Sequence, residues 1–200
     1  TIECVDEIAA VAGRKAEVAA ITEAAMQGHI SDYKESLRQR VALLQGIHIK
    51  DLEQVRSQRL QFSPGARQLI TAVKAAGLVT LLVSGGFTYF SDSVKAELGI
   101  DFVRANVLEI HNDQLTGRMV DQPWGDICDG AEKRRTVLEL ASLMGIAPQQ
   151  TIAVGDGAND LPMMSVAGLS VAYHAKPAVR DKAHIAINEG GLDRLLEVLA

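Results

Sequence analysis

Aromatic side chains are scarce: Phe, Trp and Tyr together make up 4% of the 200 residues. The core must therefore be built from Ala, Val, Leu and Ile. Cysteine is nearly absent as well, with only Cys4 and Cys128, far apart and in no metal-like spacing. That argues against a disulfide framework and points to a reducing cytoplasm. No apolar run approaches the ~20 residues a membrane span needs. Positive charge is not in excess, since the formal net charge is −5. A nucleic-acid binder normally shows a basic face, so this balance speaks against one, and against attraction to anionic lipid. A secretory leader pattern is missing too: Thr1 leads straight into Glu3, Asp6 and Glu7. A start in mid-protein fits the same observation.

What is present is an ordinary globular balance, 48% apolar and 22% charged. The length fits one domain, or one domain with a small insertion. It is enough to bury roughly 70% of the surface an unfolded chain exposes.

From Thr1 to about Leu60 the apolar spacing is helical. Ile2, Val5, Ile8 and Ala12 share one face, Val18 and Ile21 begin another, and Gly28 interrupts before Leu37, Val41 and Leu44. With no strand signal, residues 1–62 read as a small helical cap subdomain. Ser63-Pro64-Gly65 punctuates the chain, with Ser63 as a cap and Pro64 at a first helical position. Residues 63–200 then alternate strand and helix, which predicts an α/β core, a Rossmann-like parallel sheet with helices on both faces. Leu78–Val83 reads as a strand buried on both faces, ending at Ser84-Gly85-Gly86. Val103–Val120 reads as a hairpin turning at Asn112-Asp113. Thr151–Val154, Leu169–Ala172 and Ala183–Ile187 follow as strands, and helices begin near Ala131 and Gly191.

Two strand ends could carry chemistry, because ligands of open α/β sheets bind outside the carboxyl ends of strands. At Ser84-Gly85-Gly86, a hydroxyl and two glycines let backbone N–H groups approach an anion closely. A tight strand-to-helix turn with no ligand explains the same residues equally well. Gly155-Asp156-Gly157-Ala158-Asn159-Asp160 is more specific. Two acids and an amide crowd one strand end, an arrangement a hard cation such as Mg²⁺ relieves. A calcium hand would need a Glu at the twelfth position from Asp156, where Ala167 stands. A solvated turn with capping acids is the alternative. Taken singly, Lys133 at a helix start, and Arg40 and Glu3 in the helical block, read as ordinary surface charges. His174, before Lys176-Pro177, reads as turn chemistry rather than a general base.

Together, Val83-Ser84-Gly85-Gly86-Phe87, Lys133 and Gly155-Asp156-Gly157-Ala158-Asn159-Asp160 resemble the haloacid dehalogenase superfamily in order and spacing. Ile2-Glu3-Cys4-Val5-Asp6-Glu7-Ile8, Ser36-Leu37-Arg38-Gln39-Arg40-Val41 and Ala172-Tyr173-His174-Ala175-Lys176-Pro177 resemble the branch that hydrolyses phosphoserine. The resemblance covers essentially the whole chain. It implies a Mg²⁺-dependent phosphatase of serine biosynthesis working through an aspartyl-phosphate. In that reading Ser84 and Gly85 hold phosphate oxygens and Lys133 neutralises charge. Asp156 binds Mg²⁺, Asp160 supports it from behind, and Asn159 contacts substrate. Glu3 meets the serine ammonium and Arg40 its carboxylate. The departure is at the front: the apolar strand ending in Asp-x-Asp-x-Thr, which carries the nucleophile and the acid/base Asp, does not occur. The expectation is that it lies upstream of residue 1, and that its loss splits the sheet. Rival readings are a phosphatase or phosphotransferase for another small phosphate ester, or a non-catalytic phosphate-binding protein. A receiver domain fits less well, because its acidic cluster would not come this late in the chain. The partner expected is a small phosphate monoester, with neither nucleic acid nor membrane; a homodimer is compatible with the sequence.

Overall fold

The computed structural model describes residues 3–26 and 32–199. Thr1, Ile2 and Gly28, used in the sequence reading, lie outside the described residues. The chain divides into two compact units.

The first unit comprises Thr1–Phe62, Ser84–Glu97 and Ala105–Ile127, and so takes in segments beyond the boundary expected at residue 62. Its helices are α1 (Cys4–Val11), α2 (Lys15–Met26), α3 (Tyr33–Ala42) and α4 (Ile49–Gln58). α1 presents Val5, Ile8 and Ala9 to the interior, and α3 presents Leu37 and Val41, as the 3.6-residue spacing predicts. Side-chain acceptors fix two starts: Asp32 Oδ1 accepts from Lys34 N at 3.0 Å, and His48 Nδ1 accepts from Lys50 N at 3.1 Å. Caps of this kind contribute about 1 kcal/mol each. The helices pack with Phe87, Phe90, Leu108, Leu115 and Ile127 into one apolar cluster.

The expected hairpin is shorter than 103–120. β3 (Leu108–His111) pairs antiparallel with β4 (Gln114–Met119), and Asn112 and Asp113 turn it at φ 49° and 60°. Positive φ at both central residues is what a two-residue type I′ hairpin turn requires, and after glycine Asn and Asp tolerate it best. Residues 102–106 instead form β2 (Phe102–Asn106), which pairs with β1 (Leu81–Phe87).

The second unit comprises Ser63–Val83, Leu98–Arg104 and Cys128–Ala200. Here β5 (Ile152–Gly155), β6 (Leu169–Tyr173) and β7 (Ile185–Ile187) form a parallel sheet in that order. β6 is central and buries Ser170, Val171 and Ala172 in succession, as a strand covered on both faces must. The helices are α5 (Ala66–Ala75), α7 (Gly130–Leu143) and the short α8 (Leu161–Met164), α9 (Pro177–Arg180) and α10 (Leu195–Leu199). α6 (Thr88–Leu98) follows β1 directly and, as far as Glu97, belongs to the first unit.

Three local expectations are corrected. α5 does not start at Pro64: Gly65 is its N-cap at φ 76°, and Ser63 offers its carbonyl to the Ala66 N–H, so Ser63-Pro64-Gly65 is a turn. The first strand starts at Leu81 rather than Leu78 and runs through both glycines to Phe87. Nor is the 78–83 run buried on both faces, since Leu78 and Val79 are 41% and 42% exposed. The strand pairing accounts for this exposure. Among the described residues β1 pairs with β2 on one side only, and β5 pairs only with β6. An apolar slot of about 470 Å³ is lined by Leu81, Leu82 and Val83 of one strand and Ile152, Ala153 and Val154 of the other. Consecutive residues of a strand point to opposite faces. A slot touched by three in a row on each strand therefore runs along their edges, with Val137 and Leu140 of α7 and its C-cap Met144 also lining it.

Candidate active site

The loop after β5 is built by close backbone approach. A side chain at Gly155 would place its Cβ 2.4 Å from the Cβ of Asp160, so only glycine fits. Asp160 folds back under the loop. Its Oδ2 accepts from the backbone N–H groups of Asp156 and Gly157, both at 3.1 Å, while Oδ1 accepts from Lys133 Nζ at 2.7 Å. Asp160 and Lys133 are 5% and 6% exposed. A buried carboxylate tolerates this position because an ammonium and two amides share its charge. Lys133 is thus not the solvated lysine that its place at a helix start suggests.

The helix that carries Lys133 is anchored at its start. Asp129 caps α7, its Oδ1 accepting from Glu132 N at 2.8 Å. Gly130 lies so close to Asn159 that an added Cβ would meet the Asn159 carbonyl oxygen at 2.9 Å. α7 and the 156–160 loop therefore pack as one piece. Both oxygens of Asp160 are occupied, whereas the Asp156 side chain, exposed at the tip of the loop, has no side-chain partner among the described residues. Asn159 is half-buried beside it. The Asp156 carbonyl accepts from Lys176 N at 3.4 Å, which ties the loop to the start of α9. His174 sits at φ 46° with its Nε2 2.9 Å from the Gly190 carbonyl, in keeping with a turn.

Ser84 and Gly85 belong to the first unit and are half-buried near the end of β1. Ser84 Oγ accepts from Gly86 N at 3.0 Å, and the Gly85 carbonyl accepts from Asn106 Nδ2 at 2.8 Å. Asn106 is 1% exposed and locks the carbonyl side of Gly85. The same unit holds Glu3 and Arg40. Glu3 is exposed at the N-cap of α1 without capping it through its side chain. Arg40, on α3, uses its Nε on the Ser36 carbonyl at 3.3 Å. Neither forms an ion pair among the described residues.

The sequence reading missed two residues that shape this chemistry. Asp129-Gly130-Ala131-Glu132 has the acid-x-x-Glu spacing of a helix start, a signal that was there to be used. Asn106 had none, because its partner lies across a strand pair. Burial sets the thiols apart from nucleophilic chemistry: Cys128 is pushed up to about 12 and Cys4 to about 11. Neither forms a disulfide among the described residues. No described helix is long and apolar enough to cross a membrane.

Which cation could this arrangement hold? Among the described residues no group of three or more His, Cys, Asp or Glu gathers as a metal cage. One unpartnered carboxylate suits Mg²⁺, which keeps several waters and takes one or two carboxylates plus phosphate oxygens. It does not suit a closed zinc site.

Residues 3–165 match the family model described as haloacid dehalogenase-like hydrolase. The chain is 69% identical over 197 residues to the phosphoserine phosphatase of Albidiferax ferrireducens, covering 98% of itself and 83% of that protein. To the phosphoserine phosphatase of Polaromonas it is 68% identical, covering 99% and 84%. Among solved structures it matches the unliganded probable phosphoserine phosphatase of Vibrio cholerae, with a TM-score of 0.90 at 44% identity. That match covers 98% of this chain and 59% of the other. A phospho-aspartyl intermediate analogue of phosphoserine phosphatase matches with a TM-score of 0.87 at 37% identity, covering 98% and 91%. The chain therefore belongs to the haloacid dehalogenase-like hydrolases, in their phosphoserine phosphatase family.

Proposed function

We propose that this protein hydrolyses O-phosphoserine to serine and phosphate in the cytoplasm, as the closing step of serine formation, with Mg²⁺ as cofactor. The observation that carries the reading is the Lys133–Asp160–Asp156 arrangement. A buried ammonium and a carboxylate that serves the backbone hold the loop, and one further carboxylate is left over for a cation. Phosphoryl transfer is catalysed mainly by positioning and by stabilising charge, so a rigid cradle is much of what the reaction needs.

In this reading the Ser84 hydroxyl and Gly85 N–H hold phosphate oxygens. Lys133 offsets their charge, Asp156 takes the Mg²⁺, Asp160 keeps the loop in place, and Asn159 contacts the substrate. When bound, the cation would supply further charge neutralisation at the phosphate. Glu3 reads the ammonium of the substrate and Arg40 its carboxylate. A zwitterionic amino acid calls for such an opposed pair, and both charges lack ion-pair partners among the described residues. The helical residues 1–62 serve as the cap that reads the substrate, and residues 63–200 as the core.

The nucleophile is assigned to a further strand, ending in Asp-x-Asp-x-Thr, ahead of residue 1. The slot between the edges of β1 and β5 that stay unpaired among the described residues supports this: it is apolar, and it asks for a chain with hydrogen-bonding groups on both sides. The first Asp attacks phosphorus as the ester P–O bond breaks, and the second Asp gives its proton to the departing serine oxygen. Water then cleaves the aspartyl-phosphate, returning the carboxylate and releasing phosphate.

The test is an assay of the protein with that upstream strand present, on phosphoserine and on an aryl phosphate, with Mg²⁺ or with EDTA. The expected result is Mg²⁺-dependent release of serine and phosphate in equal amounts, with phosphoserine preferred. Equal turnover of both esters would leave a phosphatase of another small phosphate. No turnover of either would leave a phosphate-binding protein.

A further inference from the structure

Glu3 is placed by its neighbour. Cys4 opens α1 and is half-buried, and its side chain packs against the apolar cluster of the first unit. The Cys4 thiol also engages the backbone of Phe87, the last residue of β1. One residue earlier, Gly86 faces the same sulfur. A Cβ built on Gly86 would lie 3.3 Å from Cys4 Sγ and 3.2 Å from Ser84 Oγ. The sulfur and the Ser84 hydroxyl therefore border the space over Gly86 that a side chain there would occupy. The Ser84 hydroxyl is itself held by the Gly86 N–H, and Gly85 by Asn106.

We propose that Cys4 is a positioning residue for substrate selection: seated over Gly86, where only a glycine leaves the room, its thiol sets the place of Glu3 relative to Ser84 and Gly85. The inference rests on the amino-acid phosphate reading of Glu3 given above. It adds that discrimination depends on side-chain size at position 4. A thiol fills the gap. A hydroxyl nearly does so and still accepts a hydrogen bond. A branched aliphatic chain must push α1 away from Gly86, because close-packed contacts leave no room for an added methylene. Reach toward the ammonium is then spoiled, while the phosphate end is kept in place by the Gly86 N–H on Ser84 and by Asn106 on Gly85, so α1 gives way first. At pH 7 the thiol is protonated, since burial pushes it to about 11, so it acts through volume and contact rather than as a nucleophile.

The experiment uses the protein with its upstream strand, comparing wild type with Cys4→Ser, Cys4→Ala and Cys4→Leu on phosphoserine and on an aryl phosphate. Cys4→Leu should raise KM for phosphoserine by roughly tenfold or more, with kcat within about threefold, because a small misplacement acts first on binding. The aryl phosphate, which has no ammonium to read, should keep its kcat/KM within about twofold. Cys4→Ser should restore phosphoserine KM to within about threefold of wild type. Cys4→Ala, which adds no volume and keeps the protein folded should the leucine not be tolerated, should raise that KM by about threefold through looseness. Equal losses on both substrates, or an unmoved phosphoserine KM in Cys4→Ala and Cys4→Leu, would overturn the inference and leave the substrate reading standing. A wild-type protein that shows no preference for phosphoserine would overturn both.

Discussion

Lys133 Nζ lies 2.7 Å from Asp160 Oδ1, both side chains are 7% exposed, and the other oxygen of Asp160 carries the backbone N–H groups of Asp156 and Gly157. One buried ion pair therefore also fixes the shape of a strand-end loop. Removing the lysine strands a buried carboxylate, and breaking such a pair costs about 3–5 kcal/mol. Lys133→Ala should show this loss in denaturant melts. With the upstream strand present, turnover should fall about 10²–10³-fold, the scale of losing one fixed charge-stabilising donor. Normal stability together with normal turnover would return Lys133 to the role of a bystander.

Asp156 should behave in the opposite way. Its side chain is exposed and has no side-chain partner among the described residues. Asp156→Asn should thus leave stability within about 0.5 kcal/mol of wild type. It should, however, raise the Mg²⁺ concentration needed for half-maximal turnover and lower the maximum reached. Full activity of the wild-type protein in excess EDTA would remove the cation from the scheme altogether.

In the proposed function, substrate reading and chemistry separate at Glu3 and Arg40. A hydrogen bond to a charged group is worth ~1.5–3 kcal/mol, so Glu3→Gln and Arg40→Ala should each lower kcat/KM for phosphoserine by roughly ten- to a hundredfold. An aryl phosphate lacks both recognised groups and should lose little. Parallel losses on the two substrates would mean that these charges support the fold or the phosphate end.

Acid stability should depend on Asp101. Hydrogen bonds from Lys74, first, and from Thr80 hold its carboxyl down at about 2, against an ordinary value of 3.8. Lys74 Nζ is 2.7 Å from Asp101 Oδ1, and Thr80 donates both N–H and hydroxyl to Oδ2. A depressed folded-state value means the contribution is complete above about pH 4 and lost as pH falls toward 2. Asp101→Asn should flatten the stability–pH curve between those limits. A curve that keeps its wild-type slope there would show that other carboxylates set it.

Residues 1–200 alone should be inactive and prone to associate, because the free edges of β1 and β5 face an apolar slot and unpaired edges invite further pairing. Light scattering and a phosphatase assay check this. A soluble, cooperatively folding and active 1–200 protein would contradict the assignment of a strand to the slot.

The sequence was most informative where a pattern is local. Helical spacing up to residue 60, the Asn112-Asp113 turn and the β5 to Asp160 segment were all legible, because periodicity and turn chemistry act over a few residues. Strand limits were not. Leu78–Val83 looks like a doubly buried strand, yet its first residues are half exposed because burial depends on a neighbour that sequence spacing does not display. Lys133 and Asp160 are 27 residues apart, and neither carries a mark that announces the other. Only the resemblance joined them. The same holds for Asn106, whose contact with Gly85 depends on strand pairing.

The turn after α3 has a consequence for dissecting the molecule. Gly46 N donates to the Leu115 carbonyl at 2.8 Å, Leu115 N to the Ile47 carbonyl at 2.8 Å, and Ile49 N to the Asp113 carbonyl at 2.9 Å. His48 bridges Gln114 in antiparallel sense. A stretch between two helices thus acts as a third strand of the hairpin, with Ile47 and Leu115 both under 5% exposed. Cutting the helices away at residue 62 would orphan the Gly46 and Ile49 amides and open the core where Leu115 sits. A transplantable specificity module would have to carry residues 105–127 with it. In hydrogen exchange, Gly46, Ile49 and Leu115 should lose protection together, marking one cooperative unit drawn from two distant stretches of chain.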